Sequence, residues 1–439
     1  MNKLKHFITA RRVSLGLILL LAGLMYLTTI IPQGIDSTPA RIEAWRLAHG
    51  GLVWLVDACN LHRIYSQPWF AAIILFAALA LVISSFDQLG VVRKKLHSTG
   101  IAAAEDLAME ISEPFLRSVA RCHHYRFLKT VSDGQLKFVR SPWGYFGNLL
   151  LHIGLALVIS VSLYVSLTAR QGALILVEGE QRDAHQPWDM TEQGMLASPL
   201  KLPGAIRLER VRVRFDDNLQ PVEVFSDISI SDVAGRVNSL SASINRIQDY
   251  QGMRIYHAAQ YGNAFSVTIT DRNGAVHVET IAAQQPVGLA KPGYSDEFDV
   301  SWSPHLLSAK YYADADKKTM SGTNPELILR LTQGSREIAR TTLKKGDSAM
   351  LGENRVQLIG VSRWSKLIFV DSSGMPLIFS GFAIIMLGGL LQYFTPPREL
   401  IGIRQSNGLY RVYWKSPSFK DFFMEERDGI ATELQKGVA

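Results

Sequence analysis

The feature that most constrains this chain is an uncharged stretch from Trp143 to Thr168, WGYFGNLLLHIGLALVISVSLYVSLT, 26 residues long. A helix of that length reaches across a bilayer with some tilt. One histidine lies within it, His152. At ~1.5 Å per residue His152 falls roughly 13 Å in from Trp143, near the middle of a ~30 Å hydrocarbon layer. A titratable group at that depth is costly, so it marks a functional site unless a carbonyl or hydroxyl of a neighbouring helix merely satisfies it. Helical spacing puts Tyr145, Asn148, Ala156 and Ser160 on or near its face, a polar and small stripe suited to other helices rather than lipid.

Three more stretches have the same character. Val13 to Ile31 is uncharged and closed by Pro32, with Lys3, Lys5, Arg11 and Arg12 before it. It is too long for a signal-peptide core and lacks a small-residue cleavage site, so it is expected to remain as a span. A second span is expected from Pro68 to Phe86 and a fourth from Pro376 to Phe394, stopped by Pro396-Pro397. Gly381, Gly388 and Gly389 in the fourth would permit close helix contact. Residues 32–67 read as an external loop whose centre, IEAWRLAHGGLVWLVDACNL, forms an amphipathic helix along the membrane surface.

Four spans place both termini on one side. The N-terminal basic residues, Arg93–Lys95 and the tail cations Arg398, Arg404, Arg411, Lys415 and Lys420 then share it, which assigns it to the cytoplasm by the positive-inside rule. The formal net charge of +7 is therefore topogenic, and nucleic-acid binding is not needed to explain it. The expected order is a cytoplasmic N-terminus (1–12), span (13–31), external loop (32–67), span (68–86), cytoplasmic segment (87–142), span (143–168), external β domain (169–375), span (376–394) and cytoplasmic tail (395–439). Within 87–142, YRFLKTVSDGQLKFVRS reads as a hairpin turning at Asp133-Gly134.

The long external region alternates with period two, as in Phe265, Val267 and Ile269, or Leu327, Leu329 and Leu331. Asn273-Gly274, Gly252 and Gly346-Asp347 punctuate it. The fold class is thus an α+β membrane protein, with four transmembrane helices and a large antiparallel β domain, sandwich or open barrel, between spans three and four. The external region carries no nucleotide loop, paired metal ligands or nucleophile elbow, and no self-contained active site is assigned. The two cysteines, Cys59 and Cys122, fall on opposite sides and form no CxxC, which excludes a thiol–disulfide oxidoreductase. The Cys59–His62 CxxH spacing is read as coincidence.

Several stretches together resemble the ResB/CcsB family of System II cytochrome c biogenesis proteins. The IIPQG that closes the first span, SQPWF opening the second, and RSPWGYFGNLLLHIGLALVIS around His152 are similar to that family's pattern. So are PVEVFSDISISD and INRIQDYQGMRIYHAAQYG in the external region, and DSSGMPLIFSGFAIIMLGGLLQYF at the close. His257 stands where the family usually has glutamine, and TPPREL replaces a more basic sequence after the last span. The resemblance implies haem delivery to apocytochrome c at the outer face of a bacterial cytoplasmic membrane. It implies haem b held transiently and shared with a ResC/CcsA-type membrane partner, and a thioredoxin-like reductant for the apocytochrome thiols. His152 is then expected to ligate haem iron, since imidazole is a suitable axial ligand. The competing expectation is a membrane-anchored receptor or scaffold that handles no haem. Tyr250, Gly252, Tyr256 and Tyr261 are expected to form a turn with aromatic packing, or else a surface that grips the apocytochrome.

Overall fold

The computed structural model describes residues 2–34, 37, 39–97, 104–131, 134–232, 234–334, 336–371 and 373–436. The chain divides into two compact units: residues 1–23, 69–165 and 374–439 form one, residues 24–68 and 166–373 the other.

Among the described residues four helices are long and apolar enough to cross a membrane: Arg11–Ile30, Pro68–His97, Pro142–Thr168 (with its opening turn) and Met375–Phe394. This is consistent with a multi-pass membrane protein. Their side chains facing outward are apolar, such as Phe379 at 67% and Met386 at 65% exposed, which in water would be an unusually large greasy surface. The second helix does not stop at Phe86 but runs on to His97, carrying Arg93–Lys95 on its last turns. The third begins with a 3-10 turn, Pro142–Phe146, and becomes α-helical only at Gly147. Ser141 at φ +58 and Pro142 set that tight start.

The first unit also holds a small α/β domain that the expected "cytoplasmic segment" and "tail" conceal. Its five strands are antiparallel and drawn from distant segments, in the order Glu105–Ile111, Tyr410–Lys415, Arg398–Arg404, Gln135–Arg140, Arg126–Val131. The Arg126–Val131 and Gln135–Arg140 strands do pair as a hairpin, with Gly134 at φ +78; Asp133 lies outside the described residues. Helices Glu113–Cys122 and Met424–Gln435 contribute Leu116, Val119, Ile430 and Leu434 to one core with Phe138, Leu400, Val412 and Trp414.

The second unit is β-rich, and every strand pairing in it is antiparallel apart from one isolated bridge. Two 18-residue strands, Met253–Thr270 and Asn354–Asp371, pair at the centre of a seven-stranded sheet. Sheets of four and five strands pack on it, giving two cores. Ile255, Tyr261, Leu367 and Phe369 belong to the first, with Ile206 and Ile228; Phe265, Val267, Ile269, Val356 and Leu358 belong to the second, with Leu307 and Leu329. One long strand pair therefore serves two sandwich-type cores, because alternate side chains of each strand point the same way. Residues 39–58 form two helices, Pro39–Ala48 and Gly50–Ala58, broken at His49, instead of one amphipathic helix. The adjoining glycines Gly50 and Gly51 weaken helical continuity there.

Candidate functional site

His152 lies on the Gly147–Thr168 helix, half-buried. Its Nδ1 is 2.9 Å from the carbonyl oxygen of Asn148, one helical turn earlier. A carbonyl only accepts, so Nδ1 carries the proton and donates it. In the neutral form of such a ring the lone pair sits on Nε2, which in His152 makes no hydrogen bond among the described residues. This is the arrangement by which an outer hydrogen bond fixes the tautomer of a ligating imidazole.

Neighbouring helices set where the ring stands. The Asn148 amide donates to Gln88 Oε1 at 2.8 Å, tying the His152 helix to Pro68–His97 beside the ring. On another face the helix meets Met375–Phe394 almost backbone to backbone. A Cβ on Gly154 would lie 2.6 Å from Ile385 Cγ1 and 2.8 Å from the Gly381 oxygen; one on Gly147 would lie 2.9 Å from the Gly388 oxygen. Gly381 and Gly388 thus serve the contact expected of them, whereas Gly389 faces open space. Gly147 and Gly154, not singled out in the sequence, are the matching pair. At ~100° per residue His152 is roughly 140° around from this seam, so it faces away from the fourth helix. It stands level with about Met386, roughly 12 Å from the end of that helix at Phe394 and close to its middle.

Tyr145 and Ala156 are buried; Ser160 is half-buried. A groove of about 310 Å³ runs between the second and third long helices, lined by Val82, Ser85, Phe86, Leu89, Leu149, Ile153 and Ala156. Ser85 spends its hydroxyl on the Leu81 carbonyl at 2.8 Å, so the groove wall is effectively apolar. His152 shares its helix with three of the groove's lining residues, Leu149, Ile153 and Ala156, and its Nε2 has no hydrogen bond among the described residues.

Below the helix lies a buried polar cluster that the sequence did not announce. Lys137 Nζ is 3.2 Å from Glu399 Oε2 and donates to the Lys95 carbonyl at 2.7 Å. The Tyr145 hydroxyl donates to Glu399 Oε1. Burial pushes the Lys137 ammonium below the usual lysine range, and Glu399 opposes that shift. Breaking such a pair from one side commonly costs about 3–5 kcal/mol, so the three groups hold one another in place. They fix the start of the His152 helix to the small domain. Glu399 belongs to the TPPREL segment, where the sequence departs from the resembled pattern.

The remaining positions singled out in the sequence lie in the second unit or carry free thiols. Gln251 (φ +51) and Gly252 (φ +81) form a two-residue turn closing Tyr250 opposite Met253. Tyr250 and Tyr261 are buried, and Tyr256 is half-buried. His62 gives Nδ1 to the Pro32 carbonyl at 2.9 Å and stands edge-on to Trp45. Cys59 and Cys122 carry no disulfide. His257, buried in the β-rich unit, has Nδ1 2.6 Å from the Ala258 carbonyl, while its Nε2 is enclosed with no partner among the described residues. Burial holds its pKa below the usual histidine value.

A family model described as the ResB-like family matches residues 11–408. The chain belongs to the ResB-like family. Among similar proteins, the cytochrome c biogenesis protein CcsB of Synechococcus sp. (strain JA-3-3Ab) is 23% identical over 418 residues, covering 91% of this chain and 83% of that protein. The protein of the same name from Thermosynechococcus vestitus is 22% identical over 436 residues, covering 96% and 94%. The one from Gloeobacter violaceus is 21% identical over 405 residues, covering 88% and 81%. The match thus takes in every long helix of this ResB-like chain, His152 included.

Proposed function

We propose that this ResB-like protein is a multi-pass membrane component of cytochrome c biogenesis, and that His152 ligates haem iron as haem is passed towards apocytochrome c. The names of its relatives support the process. The tautomer of His152 carries the ligand assignment: Nδ1–H is committed to the Asn148 carbonyl, leaving Nε2 free to coordinate. Bound haem b would supply iron with an axial position that a neutral imidazole fills. The chain's own residues supply the lone pair, its orientation through Asn148 and Gln88, and an apolar wall. Among the described residues no group of three or more histidine, cysteine or acidic side chains is assembled to hold a metal. The second ligand and the thioether chemistry are therefore assigned to a ResC/CcsA-type partner, with a thioredoxin-like protein keeping the apocytochrome thiols reduced. The protein is placed in the bacterial cytoplasmic membrane, with the β-rich unit outside and the small α/β domain in the cytoplasm, where the basic segments lie.

The test is haem recovered with the complex purified from membranes. His152→Ala should lower haem content and alter the absorption spectrum while protein levels hold. Unchanged haem content and spectrum would return His152 to a packing role and leave a receptor or scaffold as the better reading.

A further inference from the structure

Resting on the reading that the long helices cross a bilayer, we infer that the small α/β domain docks on the lipid headgroup layer through the aromatic turn Phe419–Phe423. The turn follows the last strand, as a 3-10 segment over Lys420–Phe423. Phe422 is 83% exposed, an extreme value for phenylalanine on a folded domain. Phe419 is 41% exposed and held at φ +53, a left-handed conformation costly for a bulky side chain. In that conformation its ring packs 5.8 Å from Tyr393 and 6.3 Å from Phe422.

Tyr393 and Phe394 end the fourth long helix and are 66% and 79% exposed. The aromatic turn therefore continues the apolar surface of that helix sideways at the level where the helix stops. Trp143 reaches the same level from the third helix: it is 63% exposed, and the next residue, Gly144, abuts the Thr395 carbonyl. Exposed rings from three chain segments thus share one height. Aromatic side chains favour the boundary between hydrocarbon and headgroups, where an apolar body and a wet edge are both accommodated. Continuity with the outward face of the helix commits the occupant to lipid rather than to a soluble partner. The cations at the turn are already engaged, Lys420 with Glu105 and Arg398 with Glu426, and Asp421 lies exposed beside Phe422. Docking thus depends on the rings and not on an electrostatic patch. Its consequence is a fixed seat for the domain whose Glu399 and Lys137 hold the start of the His152 helix.

The experiment uses the full chain with Cys59→Ser and Cys122→Ser, reconstituted in phosphatidylcholine–phosphatidylglycerol vesicles. A nitroxide is placed singly at Phe422→Cys, Phe379→Cys or Ser406→Cys. Position 379 reports on the outward face of the fourth helix. Position 406 lies in the strand turn, about 20 Å from the helix end by strand rise. Relaxation by oxygen, which concentrates in lipid, is compared with relaxation by a water-soluble nickel chelate. The oxygen-to-nickel ratio at 422 should exceed that at 406 several-fold and approach that at 379. A ratio at 422 matching 406, with 379 in lipid, would overturn the docking and leave the membrane reading standing. Shielding of 422 from both reagents would place it against protein and equally overturn it. Nickel access at 379 would instead refute the membrane reading on which the inference depends.

Discussion

His152 in the helical unit and His257 in the β-rich unit begin from the same local chemistry. Each is oriented by a backbone carbonyl at Nδ1, Asn148 for one and Ala258 for the other. Each leaves Nε2 without a hydrogen bond among the described residues. They differ in what surrounds Nε2. His257 is 4% exposed and its Nε2 is sealed inside the protein, where its strand pairs Leu367 just before a register shift. His152 is only half-buried, on a helix flank turned away from its closest neighbour. An open lone pair makes a ligand only where another molecule reaches it. Burial alone would rank His257 first; access reverses the order.

The largest expected effect separates the two directly. His152→Ala should lower c-type cytochrome in cells by about tenfold or more, the scale on which loss of a metal ligand or its support is felt. His257→Gln should leave cytochrome levels near normal, read by haem staining of membrane proteins beside an immunoblot of this chain. Equal loss from both variants would break the comparison.

Gly154→Leu should come next. Its side chain would enter the space held by Ile385 and the Gly381 carbonyl, and overpacking of that kind costs about 1–3 kcal/mol. The seam between the third and fourth helices should part, reducing haem recovery although His152 remains. Unaltered haem recovery would show that the seam does not position the ring.

The acid sensitivity of His257 gives a smaller effect. Its folded pKa is depressed, so between that value and the unfolded one, near 6.5, the unfolded chain binds more protons. Its contribution to stability is complete above about pH 6.5 and declines as pH falls towards the folded pKa. Thermal melts of the purified protein between pH 8 and 5 should fall more steeply for wild type than for His257→Gln. Parallel curves would mean that His257 is not buried neutral.

The smallest change is expected from Gln88→Ala. It removes the side-chain bond to Asn148 without touching the carbonyl that orients His152, a loss of about 0.5–1.5 kcal/mol. Haem recovery should drop modestly, well short of His152→Ala; a drop as large would transfer the central role to the helix–helix tie.

These positions also show what was legible in the sequence. Uncharged runs announce long helices, and a lone histidine within one announces a site, because both signals are local. Alternation likewise exposed Phe265, Val267 and Ile269 as core. The apolar run of the second span ends at Asp87, whereas its helix continues to His97, and composition does not signal that extension. The small α/β domain was invisible because Gln135–Arg140 pairs with Arg398–Arg404 across more than half the chain, and neither segment signals its partner. The Lys137–Glu399 pair follows from that pairing and was hidden with it. Gly147 and Gly154 became meaningful only once Gly381 and Gly388 were seen opposite them.

The central claim is that His152 acts through the lone pair of its ring. Imidazole supplied to cells carrying His152→Ala tests this most directly, because the free molecule restores a ligand without restoring the side chain. The account predicts that c-type cytochrome rises with added imidazole in the variant and not in wild type, at unchanged levels of this protein. Full cytochrome assembly in the variant without imidazole would contradict it.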